Sequence, residues 1–296
     1  MQFNLEKMEL EPDAARQYID ARSTFVELER TKKNALQVRG GMVWKTVNAA
    51  EYLIRTSTTG GQKSLGKRTP ETEALYASFT ARKQSSEERL TGLKATVARH
   101  ERMNRALRVG RMPAIAVAIL NRLANAGLDD YFRIVGTHAL YAYEAAAGVR
   151  FASEITSTRD IDLLWDTRKR VTFAQKLAQD SPSMLAALQK VDKTFQVIDD
   201  QKYTAINKDG FEVDIIRRDE LMNAPEFSEI VVAENGSMAR LSTIHPAVFV
   251  RFKRWMANEP DRDPLKRRRD ALQADAVEWV LNERLPHLLA ADTDTA

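Results

Sequence analysis

The run Asp160-Ile161-Asp162-Leu163-Leu164 constrains this chain more than any other stretch. Side chains alternate between the two faces of a strand, so Asp160 and Asp162 project together while Ile161 and Leu163 enter the core. Neighbouring carboxylates repel each other and are costly to hold without a compensating cation. A divalent metal is the economical partner. A second alternating run, Phe211-Glu212-Val213-Asp214-Ile215-Ile216, reads as another strand with Glu212 and Asp214 on one face. Laid beside the first, it brings Asp214 to Asp160 and Asp162. Three carboxylates suit two Mg²⁺ (or Mn²⁺) ions, which take oxygen ligands and keep waters that phosphate oxygens can displace.

Upstream, Tyr131–Val135 reads as a strand that ends at Gly136-Thr137. Glycine tolerates backbone conformations that other residues resist and lets a phosphate approach closely. A helix over Ala139–Ala147 would then aim its first amides at that turn, where anions are favoured. His138 reads as structural or phosphate-contacting, and Tyr141 and Tyr143 as packing residues before base-stacking ones. Arg159 precedes the acidic pair and can meet a phosphate or simply face solvent. Asp166, at the strand's end, reads as a cap for the segment that follows.

In this order, Gly-Thr-His-Ala-Leu-Tyr-Ala-Tyr-Glu at 136–144, Thr-Arg-Asp-Ile-Asp-Leu-Leu at 158–164 and the later Asp214 strand resemble the DNA polymerase beta-like nucleotidyltransferase superfamily. The nearest likeness is to a bacterial group of nucleotidyltransferase-fold proteins of unassigned substrate. It extends over nearly the whole chain, including Gly-Gly-Met-Val-Trp-Lys at 40–45 and Lys-Ser-Leu-Gly at 63–66. Two features depart from the superfamily pattern. Thr137 replaces the usual Ser or Gly, keeping a hydroxyl, and the gap from Thr137 to Asp160 is longer than is common. The resemblance implies transfer of a nucleoside monophosphate from an NTP. Asp160, Asp162 and Asp214 would be the catalytic metal ligands, and Gly136 and Thr137 would bind phosphate. A helix after the catalytic sheet would also turn a lysine towards the phosphates, with Lys253 and Lys266 as the candidates.

The 296 residues suffice for one large or two ordinary domains. Zero cysteines exclude disulfides, thiolate zinc sites and cysteine nucleophiles. The longest apolar run, Pro113–Leu120, is far too short to span a membrane, and no signal-peptide core is read at the N-terminus. No membrane partner and a bacterial cytoplasmic setting are therefore expected. The net charge of +4 conceals an asymmetry: residues 1–112 hold 21 Lys+Arg against 13 Asp+Glu. A basic front part beside an acidic site fits a polyanionic or nucleotide partner, and equally fits ordinary solvated helices.

That front part reads as a helix over 13–38, a small β-meander at about 40–66 and a long helix from Thr69-Pro70 to about Arg108, broken near Gly92. Trp44 and Tyr52 among Lys45, Arg55, Lys63, Lys67 and Arg68 can stack bases or cap a tiny core. Arg99, Arg102, Arg105, Arg108 and Arg111 recur every three positions, as if along one helix side. Further on, a helix from Pro113 to Ala126 closes at Gly127, and Lys169–Gln189 reads as helical with an interruption at Ser181-Pro182. Phe195–Ile198, Tyr203–Ile206 and Met238–Leu241 read as strands, with Asp209-Gly210 as a hairpin turn. His245-Pro246 opens a C-terminal helix with Phe249, Phe252, Trp255 and Met256 as its apolar stripe and Arg251, Lys253 and Arg254 on its polar side. Asp270 and Asp275 read as partners of nearby arginines.

The expected fold is α+β: a polymerase beta-like core of mixed sheet and helices over 113–243, a basic N-terminal region over 1–112 and a helical C-terminal part over 244–296. The expected acceptor is RNA or tRNA, in a toxin or defence setting. A protein, a small molecule, or a binding-only module on the same fold are the alternatives.

Overall fold

The computed structural model describes residues 9–169, 172–174 and 183–290. Its contacts divide the chain into two compact units, Tyr18–Met103 and Met1–Gln17 with Asn104–Ala296.

The smaller unit holds most of helix α1 (Pro12–Ala35), strands β1 (Gly41–Val47), β2 (Ala50–Thr56) and β3 (Gln62–Lys67), and most of helix α2 (Pro70–Ala106). The strands form the expected antiparallel meander, β1-β2-β3. Its aromatic and basic side chains are partly spent inside the unit. Trp44 packs on Tyr76, with ring centroids 5.9 Å apart, under the Arg68 guanidinium, and Arg68 pairs with Glu51 and Glu73. Arg55 lies over the Phe79 ring and donates to the carbonyls of Gly41 and Arg39. Lys45, Lys63 and Lys67 remain exposed. Two expectations need correction. Helix α2 passes through Gly92 unbroken, because one glycine costs a long helix only about 1 kcal/mol. The helix also ends at Ala106, so Arg108 and Arg111 do not continue the arginine row.

The larger unit is built on a seven-stranded sheet of order β6-β7-β8-β5-β4-β10-β9. Its strands are β4 (Phe132–Val135), β5 (Asp160–Trp165), β6 (Gln196–Ile198), β7 (Gln201–Ile206), β8 (Glu212–Ile216), β9 (Glu226–Val232) and β10 (Met238–Ile244). β5 pairs with β8 and β10 with β4 in parallel, and the other pairs are antiparallel, so the sheet is mixed as expected. Helices α3 (Ala114–Ala126), α4 (Leu140–Ala147), α5 (Ser153–Thr156), α6 (Met184–Gln189), α7 (Asp219–Met222), α8 (Pro246–Asn258), α9 (Pro264–Glu283) and α10 (His287–Ala290) complete it. The part of the reading over Lys169–Gln189 that falls on 170–171 and 175–182, including the break at Ser181-Pro182, lies outside the described residues.

Strand alternation assigns the two faces. Ile161, Leu163, Val213 and Leu241 join Val117, Leu120 and Leu123 of α3 in one core. Leu164, Val135 and Ile244 join Leu140 and Tyr143 of α4, Phe249 of α8 and Val277 and Val280 of α9 in the other. Asp160 and Asp162 share the face of Leu164, so the acidic residues open towards the side covered by α4, α8 and α9. Strand β9 has no counterpart among the strands expected from the sequence. Tyr143 is a core residue whose hydroxyl donates to the Ile244 carbonyl at 2.8 Å.

Candidate active site

The sheet register does what the two acidic runs require. Asp162 stands directly opposite Asp214 across the parallel β5–β8 pair, and Asp160 stands opposite Glu212. One carboxylate oxygen from each of Asp160, Asp162 and Asp214 lies within 4.8 Å of the others, and all three side chains are half-buried. Glu212 stays outside this cluster. The flanking carboxylates are oriented by hydroxyls: Thr158 donates to Asp160 Oδ1, and Thr204 donates to Asp214 Oδ1 at 2.5 Å. Neither threonine carries a signal in the sequence pattern alone.

Asp162, in the middle, carries the cost. Burial first, then the charges of Asp160 and Asp214, push its carboxyl up to about 7, against the pull of Lys253 and Arg262. A donor set of three crowded carboxylates, with oxygen atoms only, fits a hard divalent cation such as Mg²⁺, whose charge would remove that cost.

Gly136 is required beside this group for two reasons. Val135 pairs with Asp162 across β4–β5, so the next residue turns directly over that carboxylate. A Cβ at Gly136 would stand 2.0 Å from Asp162 Oδ2, and the residue's φ of +66° is one that side chains resist. The turn differs from expectation: Gly136–Ala139 is a 3₁₀ segment, and α4 begins only at Leu140. Thr137 is buried, and its Oγ1 accepts from Gln273 Nε2 of α9 at 3.2 Å. His138 is buried between the rings of Tyr141 and Phe211, and burial lowers its pKa to about 4. It is a neutral packing residue at ordinary pH.

The cationic candidates separate. Lys253 is buried, not on the polar side of α8, and pairs with Asp270 at 2.7 Å; Trp255, read as part of the apolar stripe, is the exposed one. Burial lowers the pKa of Lys253, while Asp270 and, more weakly, Asp162 raise it. Arg159 is exposed, its Nη1 4.0 Å from where a Cβ on Gly210 would stand in the β7–β8 loop, while its carbonyl accepts from Glu212 N–H at 2.8 Å. The Lys266 side chain is exposed, and its backbone N–H is bound by Asp263, the cap of α9. Asp166 caps the turn after β5 by accepting from the Arg168 N–H at 3.1 Å, as expected.

A family model described as nucleotidyltransferase matches residues 114–221 and 217–296. The matched segments span more than half the chain and include all seven strands of the larger sheet, the three aspartates and helices α8 and α9. The chain belongs to this nucleotidyltransferase family. Neither a curated protein nor a solved structure matches it significantly. A nucleotidyltransferase takes an NTP as substrate, and the three aspartates offer oxygen ligands close enough together to hold a divalent metal. The match begins after the smaller unit, so the front part of the chain, with its meander, lies outside it. No helix among the described residues is long and apolar enough to cross a membrane.

Proposed function

We propose that this enzyme is a metal-dependent member of the polymerase beta-like superfamily that moves a nucleoside monophosphate from an NTP to an acceptor hydroxyl. The observation that carries the reading is the convergence of Asp160, Asp162 and Asp214 under the Gly136 turn. In the transfer, the acceptor oxygen bonds to the α-phosphorus as the bond to pyrophosphate breaks. The bonding electrons leave on pyrophosphate, and the acceptor proton passes to a carboxylate or water. Asp160, Asp162 and Asp214 would together hold the Mg²⁺. Bound there, the metal supplies positive charge to the phosphates and lowers the acceptor's pKa.

The chain's own groups do the rest. Thr158 and Thr204 fix one oxygen of Asp160 and one of Asp214, leaving the second oxygens for ligand or proton. Asp214 is the candidate to take the acceptor proton. Gly136 and Thr137 would hold the β- and γ-phosphates, with Lys253 supplying positive charge to the leaving pyrophosphate. Arg159 and Lys266 are exposed candidates for further phosphate contact.

For the acceptor we propose RNA, a tRNA end included, in a toxin or defence role. The excess of Lys+Arg over Asp+Glu in residues 1–112 supports it. The test is incubation of the purified chain with each α-labelled NTP, Mg²⁺ or Mn²⁺, and total RNA or lysate, beside Asp160→Ala/Asp162→Ala. Label that moves onto a nuclease-sensitive species only with the unmodified chain supports the reading. Nuclease-resistant, protease-sensitive label would make the acceptor a protein. No transfer, with metal-independent RNA retention by both chains, would leave a binding module.

A further inference from the structure

Helix α9 carries two buried polar side chains one turn apart, and each bonds to a candidate phosphate-binding residue, Gln273 to Thr137 and Asp270 to Lys253. Gln273 donates to Thr137 Oγ1 at 3.2 Å and to the Ile155 carbonyl at 2.7 Å, so this face of α9 abuts the Gly136 turn. One turn earlier stands Asp270, 1% exposed. One of its oxygens accepts from Lys253 Nζ at 2.7 Å and the other from Arg262 Nε at 2.5 Å. Lys253 comes from α8 and is 4% exposed. Arg262 comes from the connection between α8 and α9, and a quarter of its side chain reaches solvent.

A buried lysine needs one carboxylate partner and has it. The second cation needs another explanation. A carboxylate shared by a lysine and an arginine leaves one positive charge over, and it falls on Arg262, whose partly exposed guanidinium can meet an anion. One turn further along the same helix Gln273 bonds to Thr137, and the adjoining Gly136 stands over Asp162, so this face of α9 borders the acidic cluster. Loss of the Asp270 charge would leave the Lys253 ammonium facing its burial penalty without its strongest offset.

We propose that Asp270 is a positioning residue that ties Lys253 and Arg262 into one cationic cradle for the terminal phosphates of the NTP. The inference rests on the nucleotidyl-transfer reading above. In this arrangement the aspartates and their metal meet the nucleotide from one side. The cradle meets the group that leaves as pyrophosphate from the other, and Gln273 keeps the phosphate turn in register with it. Asp270 itself touches no nucleotide. A polyphosphate gains two charge-assisted contacts from the cradle, whereas a monophosphate, whose one phosphate is the α-phosphate, gains none.

The experiment is equilibrium binding of each NTP, the matching NMP and inorganic pyrophosphate to the full chain with Mg²⁺ or Mn²⁺. It compares the unmodified chain with Asp270→Asn, Arg262→Gln, their double variant and Arg254→Gln. Arg254 pairs with Asp275 and Glu278 on the exposed side of α8 and serves as the control. Asp270→Asn and Arg262→Gln should each weaken NTP and pyrophosphate binding by about tenfold or more while leaving NMP within about twofold. The double variant should lose less than the product of the single losses, because both changes dismantle one cradle. A lower melting temperature for Asp270→Asn with an unchanged NTP-to-NMP affinity ratio would make Asp270 merely structural and overturn the proposal. Should Asp270→Asn fail to fold, the partly exposed Arg262→Gln decides alone, and an unchanged ratio overturns it. If the unmodified chain binds no NTP with either metal, the transfer reading fails and takes the cradle with it.

Discussion

Asp162→Asn should make the metal-free protein more stable while abolishing transfer, and the gain should grow with pH. Burial and the two neighbouring carboxylates raise Asp162 from 3.8 to about 7, a shift worth about 4 kcal/mol at ~1.4 kcal/mol per unit. The folded value lies above the unfolded one. Stability is therefore fully present below the unfolded pKa and is lost as pH rises through the folded pKa, over a window from about 4 to about 7. Asparagine has nothing to ionise, and its amide can donate to the acids on either side. Urea unfolding in EDTA, at intervals from pH 5 to pH 8, measures the difference between the two chains. The gap should widen in favour of the variant by about 2–3 kcal/mol across that range. Adding Mg²⁺ at about 100 times its dissociation constant should return about 2.7 kcal/mol to the unmodified chain and little to the variant. A gap that is flat with pH, or a variant less stable at pH 8, would refute the claim that this carboxylate is held at a cost.

Other consequences are as direct. Gly136→Ala meets both a positive φ and the Asp162 carboxylate, so it should cost about 1–3 kcal/mol in thermal unfolding and at least tenfold in transfer. Thr204→Val keeps the shape but removes the donor to Asp214; metal titration should show about tenfold weaker binding with little change in stability. Gln273→Leu frees Thr137 and leaves the Ile155 carbonyl without that donor, so chemical unfolding should show a loss of about 1–3 kcal/mol, and nucleotide affinity should fall with it. Arg111→Ala strands the buried Glu144, which also accepts from the Phe151 N–H, and should destabilise the larger unit by about 3–5 kcal/mol.

The three aspartates were legible because their signal is local. Period-two alternation tells which residues share a face, and two alternating acidic strands that become neighbours must bring their acids together. The helper threonine opposite Asp214 depends on register, and register depends on loop length. A two-residue turn at Asp209-Gly210 would set Ala205 against Asp214. The structure instead closes a longer loop in which Asn207 Oδ1 accepts from the N–H groups of Asp209 and Phe211, which moves Thr204 into place. Strand β9 is hard to read because Glu226-Phe-Ser-Glu-Ile-Val-Val lacks clean alternation; its last four residues are all buried beside β10. Lys253 reads as solvent-facing in the sequence because a helical wheel assigns charge to solvent, whereas it is buried. Only the fold reveals that Asp270, seventeen residues later, can accompany it inside.

Burial of a charged side chain is what sequence patterns leave unread. A buried lysine looks like a surface lysine until its partner is found, and the partner lies on another helix. The same holds for Thr137, whose hydroxyl is positioned from α9 rather than by its own turn. Each acid of the cluster belongs to a strand, whereas Lys253, Arg262, Asp270 and Gln273 all belong to α8, α9 or the connection between them. The sheet concentrates negative charge at a cost seen in Asp162, and the helices bring positive charge towards it without cancelling it. On the proposed reading, a metal-bound polyphosphate, which carries both signs, would complete a site poised between two such halves.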